Sequence, residues 1–142
     1  MQLTVSETAE LARSEGVIAA GLATFVEVGL ALAKIRDKRL YRNTHGSFEL
    51  YLKQRWPEIG RRMAYRLIDA GEVVTNVNHG PHAPPVNERQ ARALVPLTPE
   101  MQRETWRVVN ETGPATAARA EEVSKRILQG LSPAKQREIL EE

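Results

Sequence analysis

Apolar residues recur at intervals of three and four along most of this chain, and this periodicity restricts its fold more than any other feature does. The clearest stripe lies in the N-terminal third and consists of Ile18, Leu22, Phe25, Val28, Leu32 and Ile35. Such spacing places side chains on one face of an α-helix. No segment shows the regular alternation of apolar and polar residues that is typical of a β-strand. Only 5% of the residues are aromatic, and a core rich in Ala, Leu and Val favours packed helices. The sequence therefore predicts an all-α fold.

Capping residues, prolines and glycines divide the periodic segments into separate helices. Ser6 is the predicted N-cap of the first helix, which Gly16 or Gly21 divides in two. Ser47 and Thr98 are predicted N-caps of later helices. The predicted helices cover roughly residues 6–36, 48–56, 61–77, 87–95, 99–110, 116–129 and 132–142.

One stretch, NVNHGPHAPPVN from Asn76 to Asn87, is the clear linker of the chain, because it contains three prolines, one glycine and three asparagines. A length of 142 residues suits one compact domain, or one domain with a helical appendage. The predicted organisation is an N-terminal helical region over residues 1–77, a linker over 78–86 and a C-terminal helical region over 87–142.

Composition excludes several classes of protein. The chain has no cysteine, which removes disulfide scaffolds, thiolate zinc sites and cysteine nucleophiles. The longest apolar candidate, Gly16 to Leu32, is interrupted by Glu27 and three glycines, so it does not predict a membrane helix. The polar, acidic N-terminus does not resemble a signal peptide. We therefore expect a cytoplasmic protein with no membrane partner.

Charge is distributed unevenly along the chain. The segment from Lys34 to Arg66 contains ten basic and three acidic residues, which gives it a net charge of +7. The rest of the chain has ten bases and fifteen acids, a net charge of −5, so the total is only +2. A chain with this asymmetry can hold a polyanion at one end without attracting anions everywhere.

Within the basic segment, a short helix, a tight break after Trp56 and a second basic helix form the pattern of a helix-turn-helix. The second helix of such a unit lies in the DNA major groove, which is about 12 Å wide and admits one helix. Its first turns carry the candidate contacts to base edges and phosphates, namely Arg61, Arg62, Met63, Tyr65 and Arg66. Arginine bonds bidentately to guanine or phosphate. The pattern predicts binding of double-stranded DNA, although an ordinary amphipathic helix with a solvated basic face would look similar.

Basic residues around this unit are the predicted phosphate contacts. They are Arg36, Lys38, Arg39, Arg42 and Arg55. His45 lies beside them, just before the Ser47 cap, and is a further candidate for a phosphate contact.

The same residues resemble a known family. FVEVGLALAKIRDKRLYR, HGSFELYLKQRW and RRMAYRLIDAGEVV are similar to a group of actinobacterial plasmid and phage proteins, and PVNERQARALVPLTPEMQRETW is similar to the segment after the helix-turn-helix in ParB and KorB-type partition proteins. This resemblance implies site recognition by a ParB-like helix-turn-helix, for transcriptional regulation or plasmid partition. Two departures stand out: Gly60 occupies the position of the usual Ser or Thr cap, and the arginine-rich nucleotide motif is absent, so CTP hydrolysis is not implied.

Other chemistry has little support in the sequence. His79 and His82 are three residues apart, but the intervening Gly-Pro prevents a helical pair, and no Asp, Glu or Cys lies near them in the sequence. Glu121-Glu122 and Glu141-Glu142 have no neighbouring nucleophile or base. We therefore expect no catalytic residues, no metal and no cofactor.

The predicted partners include a second copy of the chain. The last two predicted helices carry narrow apolar stripes that either close the core or form a homodimer surface, and dimers of helix-turn-helix proteins span two half-sites about one DNA turn apart. Two alternatives remain: a helical protein-protein interaction module whose basic face docks an acidic protein, and a phage DNA-packaging subunit of the small-terminase kind, which would form a ring.

Overall fold

The computed structural model of the chain describes residues 2–19, 25–78 and 80–130, and its regular secondary structure there is entirely helical. This confirms the all-α prediction. The helices are α1 (Val5–Ala19), α2 (Phe25–Asp37), α3 (Phe48–Arg55), α4 (Gly60–Val77), α5 (Glu88–Arg92), α6 (Pro99–Thr112) and α7 (Ala117–Leu128). Among these described helices, none is long and apolar enough to cross a membrane.

The N-cap of the first helix is Thr4, two residues before the predicted cap Ser6, which lies inside the helix. The backbone N–H of Glu7 donates to Thr4 Oγ1, and the backbone N–H of Thr4 donates to Glu7 Oε1, both at 3.0 Å. This reciprocal pair is a capping box, and the Thr-X-X-Glu spacing was visible in the sequence. Gly16 lies inside α1 and does not divide it, whereas Gly21 lies outside the described residues.

The later caps agree with the predictions. Ser47 accepts a hydrogen bond from the backbone N–H of Leu50 at 3.1 Å, and Thr98 accepts one from Met101 at 3.3 Å. Each cap satisfies a backbone donor that the first turn of the helix leaves without a partner. The predicted helix over 61–77 corresponds to α4, and the predicted helix over 132–142 lies outside the described residues.

The chain forms two compact units, which divide between Gly71 and Glu72. The core of the first unit surrounds α2, where Leu32 and Ile35 are fully buried. Leu40 and Tyr41, in the connection after α2, are also buried. The remaining core residues come from α3, α4 and the turn between them, and they include Phe48, Tyr51, Leu52, Trp56, Ala64 and Ile68.

Two helices of the first unit pack backbone against backbone. A Cβ placed on Gly29 of α2 would lie 2.0 Å from the carbonyl oxygen of Leu67 in α4. A Cβ on Gly71 of α4 would lie 3.4 Å from the backbone nitrogen of Leu30. The missing side chains therefore let α2 and α4 approach more closely than alanine would permit at residue 29.

The second unit is built around α6. Trp106, Val108 and Val109 are buried, and the indole N–H of Trp106 donates to the carbonyl oxygen of Ala83 at 2.9 Å. The Gln102 side chain is also buried, and its amide donates to the carbonyl oxygens of Leu94 and Leu97. Residues 80–86 of the predicted linker belong to this unit.

Candidate nucleic-acid interface

The N-terminal part of α4 carries the predicted contacts to DNA bases. Gly60, at the start of α4, has a φ of 76°, a conformation that glycine adopts without strain, and its N–H donates to the Trp56 carbonyl at 3.2 Å. Arg61, Arg62 and Met63 are exposed. Tyr65 and Arg66 are half-buried. The structure thus brings all five predicted residues onto the first two turns of one helix.

Tyr65 joins three helices of the first unit. Its hydroxyl donates to Glu49 Oε1 of α3 at 2.8 Å, and this hydrogen bond lowers the pKa of Glu49. The guanidinium carbons of Arg61 and Arg36 lie 5.7 Å and 6.0 Å from the centre of the Tyr65 ring. Burial, more than the hydrogen bond to Glu49, raises the pKa of Tyr65. The tyrosine therefore positions two arginines, while its own hydroxyl is engaged by a carboxylate.

Acidic residues of α1 pair with three of the predicted phosphate contacts. Arg42 Nη2 lies 2.6 Å from Glu7 Oε1, and Lys38 Nζ lies 2.7 Å from Glu10 Oε1. Hydrogen bonds from these two bases lower the pKa of both glutamates. A third base, Arg55, has its Nε 3.5 Å from Glu15 Oε2. Sequence reasoning missed this arrangement, because the α1 acids lie outside the basic segment.

The paired bases also have structural roles. Arg42 Nη1 donates to the carbonyl oxygens of Lys38 and Arg39, so this guanidinium holds the turn after α2. Arg36 Nε lies 2.9 Å from Asp37 Oδ1. The guanidinium carbon of Arg55 lies 4.4 Å from the centre of the Trp56 ring. Arg36, Lys38, Arg42 and Arg55 are consequently less available to an added phosphate than the sequence suggested.

His45 is likewise engaged within the protein. Its Nδ1 lies 2.7 Å from Thr44 Oγ1 and its Nε2 lies 2.5 Å from Gln54 Oε1. The ring also meets the Tyr51 ring edge to face, with centroids 5.5 Å apart. Both ring nitrogens thus have internal partners, so a phosphate contact by His45 would have to replace one of them.

Six bases of the first unit have no ion pair with a carboxylate among the described residues. They are Arg13, Arg39, Lys53, Arg61, Arg62 and Arg66. Lys53 was not among the predicted contacts, although its place in the basic segment could have suggested it. Arg62 and Arg66 are four residues apart, so they follow each other along one face of α4 at a rise of about 6 Å. The surface best suited to an anion therefore centres on Arg62 and Arg66.

Metal binding has no support in the described part of the chain, where no group of three or more His, Cys, Asp or Glu side chains could hold an ion. His82 lies in the second unit, and His79 lies outside the described residues.

Fold and surface together define an all-α protein with an exposed basic helix. No protein-family model, no curated protein and no solved structure matches the chain.

Proposed function

We propose that this chain is a double-stranded DNA-binding protein with a sequence preference, and that α3 and α4 act as a helix-turn-helix. The observation that carries the proposal is the pair Arg62 and Arg66 on one face of α4, the first exposed and the second half-buried, neither of them in an ion pair with a carboxylate among the described residues. Their guanidinium groups have the geometry to bind guanine edges or phosphates bidentately. A helix with this face suits the major groove, and the tight turn at Gly60 sets it directly after α3.

The proposed biological role is that of a cytoplasmic transcriptional regulator or plasmid partition-type adaptor, as the ParB-like resemblance implies. The proposed active form is a homodimer, because one helix-turn-helix contacts a single half-site and two copies read sites about one DNA turn apart. The pairing of α1 acids with Lys38, Arg42 and Arg55 supports a contact surface smaller than the +7 segment.

The proposal is tested by selecting binding sites from a random duplex pool and then measuring the variants Arg62→Ala and Arg66→Ala. A side chain that reads a base contributes about 1–3 kcal/mol to recognition of the preferred site, so each variant should lose roughly 5-fold to 150-fold affinity there and less on random DNA. Arg39→Ala should weaken binding to all DNA alike, because it removes only a phosphate contact.

A matched control is Arg89→Ala, which removes an exposed charge from α5 in the second unit and should leave affinity for the selected site nearly unchanged. If the double alanine variant at positions 62 and 66 bound the selected site as tightly as the unmodified protein, α4 would not be the recognition helix.

An acidic protein partner is the alternative occupant of the same face, and one observation favours it. Met63, next to Arg62 on α4, is 41% exposed, which adds apolar area to a basic surface. Under this alternative no sequence is enriched from the duplex pool.

A DNA-packaging subunit would instead form a ring, which light scattering separates from a dimer by mass.

A further inference from the structure

A second basic site lies in the second compact unit, where a cavity of about 90 Å³ opens between the end of α4, the loop over residues 80–82 and α6. Two arginines of α6, Arg103 and Arg107, are among the residues that line it. His82 and Trp106 also line it. None of these residues takes part in the DNA surface proposed for α4.

The positive charges at this cavity are poorly compensated. Arg103 is exposed and has no carboxylate partner among the described residues. Arg107 Nη1 lies 3.3 Å from Glu104 Oε1, in a surface pair of the kind that contributes little. Because Arg103 and Arg107 are four residues apart on α6, their like charges face each other across one turn. An anion between them would relieve that repulsion.

His82 belongs to the wall of the cavity. Its Nε2 is enclosed by the protein and has no hydrogen-bond partner among the described residues. The nearest carboxylate oxygen, Oε1 of Glu111, is 3.7 Å away, which is too far for a hydrogen bond. An atom enclosed in this way is closed to solvent, so His82 contributes to the wall while Arg103 and Arg107 supply the hydrogen-bond donors.

Size and shape restrict what this cavity can hold. A volume of about 90 Å³ admits several water molecules, since one needs about 10–15 Å³, but it is smaller than the roughly 300 Å³ of sites for organic ligands. The wall is fixed in advance, because the buried Trp106 is tied to the loop by its hydrogen bond to Ala83. Two guanidinium forks repel a metal cation and match the oxygens of a tetrahedral anion.

We propose that Arg103 and Arg107, with His82 in the wall beside them, form a binding site for a single phosphate group. The group belongs either to a free phosphate or to the backbone of a nucleic acid, and both present the same oxygens to the arginines. The site does not depend on the function proposed for α4.

The test is NMR titration of the full chain, followed at the indole N–H of Trp106 and the guanidinium Nε–H of Arg103 and Arg107. The probes are inorganic phosphate, sodium chloride at matched ionic strength, and a short duplex of random sequence. Phosphate should cause saturable shifts that chloride does not. Arg103→Gln or Arg107→Gln should weaken binding at least about tenfold, the loss of one charge-assisted hydrogen bond.

The control variant is Arg89→Gln, which removes the same charge from an exposed position on α5 and should leave phosphate binding unchanged. If the random duplex shifts these signals and phosphate does not, and Arg103→Gln abolishes the shift, a backbone phosphate is the ligand and the site stands. If neither probe causes saturable shifts, if chloride reproduces them, or if both glutamine variants bind as the parent does, the site is refuted. Arg62→Ala should not change phosphate binding. A loss of DNA binding by α4 is therefore distinguishable from a loss of phosphate binding at Arg103 and Arg107.

Discussion

Replacing Gly29 by alanine should destabilise the first compact unit, because α2 and α4 meet there without a side chain between them. The added Cβ would lie 2.0 Å from the Leu67 carbonyl oxygen and 2.7 Å from its carbonyl carbon. Non-bonded carbon atoms prefer separations of about 3.5–4.0 Å. Since both opposing atoms belong to the backbone, no rotamer change relieves the overlap, and the helices must move apart.

The magnitude follows from two opposing effects. Overpacking costs about 1–3 kcal/mol and occasionally more, and we expect the upper end because the clash is with backbone. Alanine improves helix propensity over glycine by about 1 kcal/mol. The net loss in the free energy of unfolding should be about 2 kcal/mol or more. In a unit of this size that corresponds to a fall in Tm of roughly 8–16 °C.

Urea denaturation followed by circular dichroism measures this loss, and two other glycines supply matched controls. In α1, a Cβ on Gly16 would have no atom within 4 Å, so Gly16→Ala should be neutral or stabilise by up to about 1 kcal/mol. Gly71→Ala should fall between the two, because its nearest backbone atoms are at 3.4 Å. The reasoning is refuted if Gly29→Ala is as stable as Gly16→Ala.

Three further outcomes are expected. Tyr51→Phe should lower the free energy of unfolding by about 1–3 kcal/mol, because the buried Trp56 indole loses the hydroxyl that accepts its hydrogen bond at 3.0 Å. Urea denaturation of the variant beside the parent chain measures this difference in free energy. The pKa values of Glu7 and Glu10 are lowered in the folded chain, so their contribution to stability is present above about pH 4.5 and is lost as the pH falls through the folded pKa values. A Glu7→Gln, Glu10→Gln variant should therefore show a smaller fall in Tm over this acid range. If its Tm fell with pH as steeply as that of the parent, the pairing would be contradicted. Gln102→Leu should lower the Tm of the second unit by several degrees, because the buried amide no longer donates to two carbonyl oxygens, and a Tm equal to that of the parent would speak against that network.

Part of the candidate site was predictable because its signals are local. Arg62 and Arg66 could be assigned to one face of a helix from their spacing alone, since residues four apart share a face. The Ser47 cap and the break after Trp56 also involve only near neighbours in the chain. The availability of each base was not predictable in this way, because a charge count says nothing about which acids lie within hydrogen-bond distance.

The sequence by itself determined that the described chain is helical and which face of α4 carries its arginines, because periodicity and capping act within one or two turns. Only the tertiary structure decided which charges are paired. Arg42 meets Glu7 across 35 residues and Lys38 meets Glu10 across 28, and these contacts exist because α1 packs against α2. Packing likewise brought His82 beside Arg103 and Arg107, although nothing in the sequence joined them. Pairings between distant residues depend on how helices pack, and that information is not contained in any local pattern.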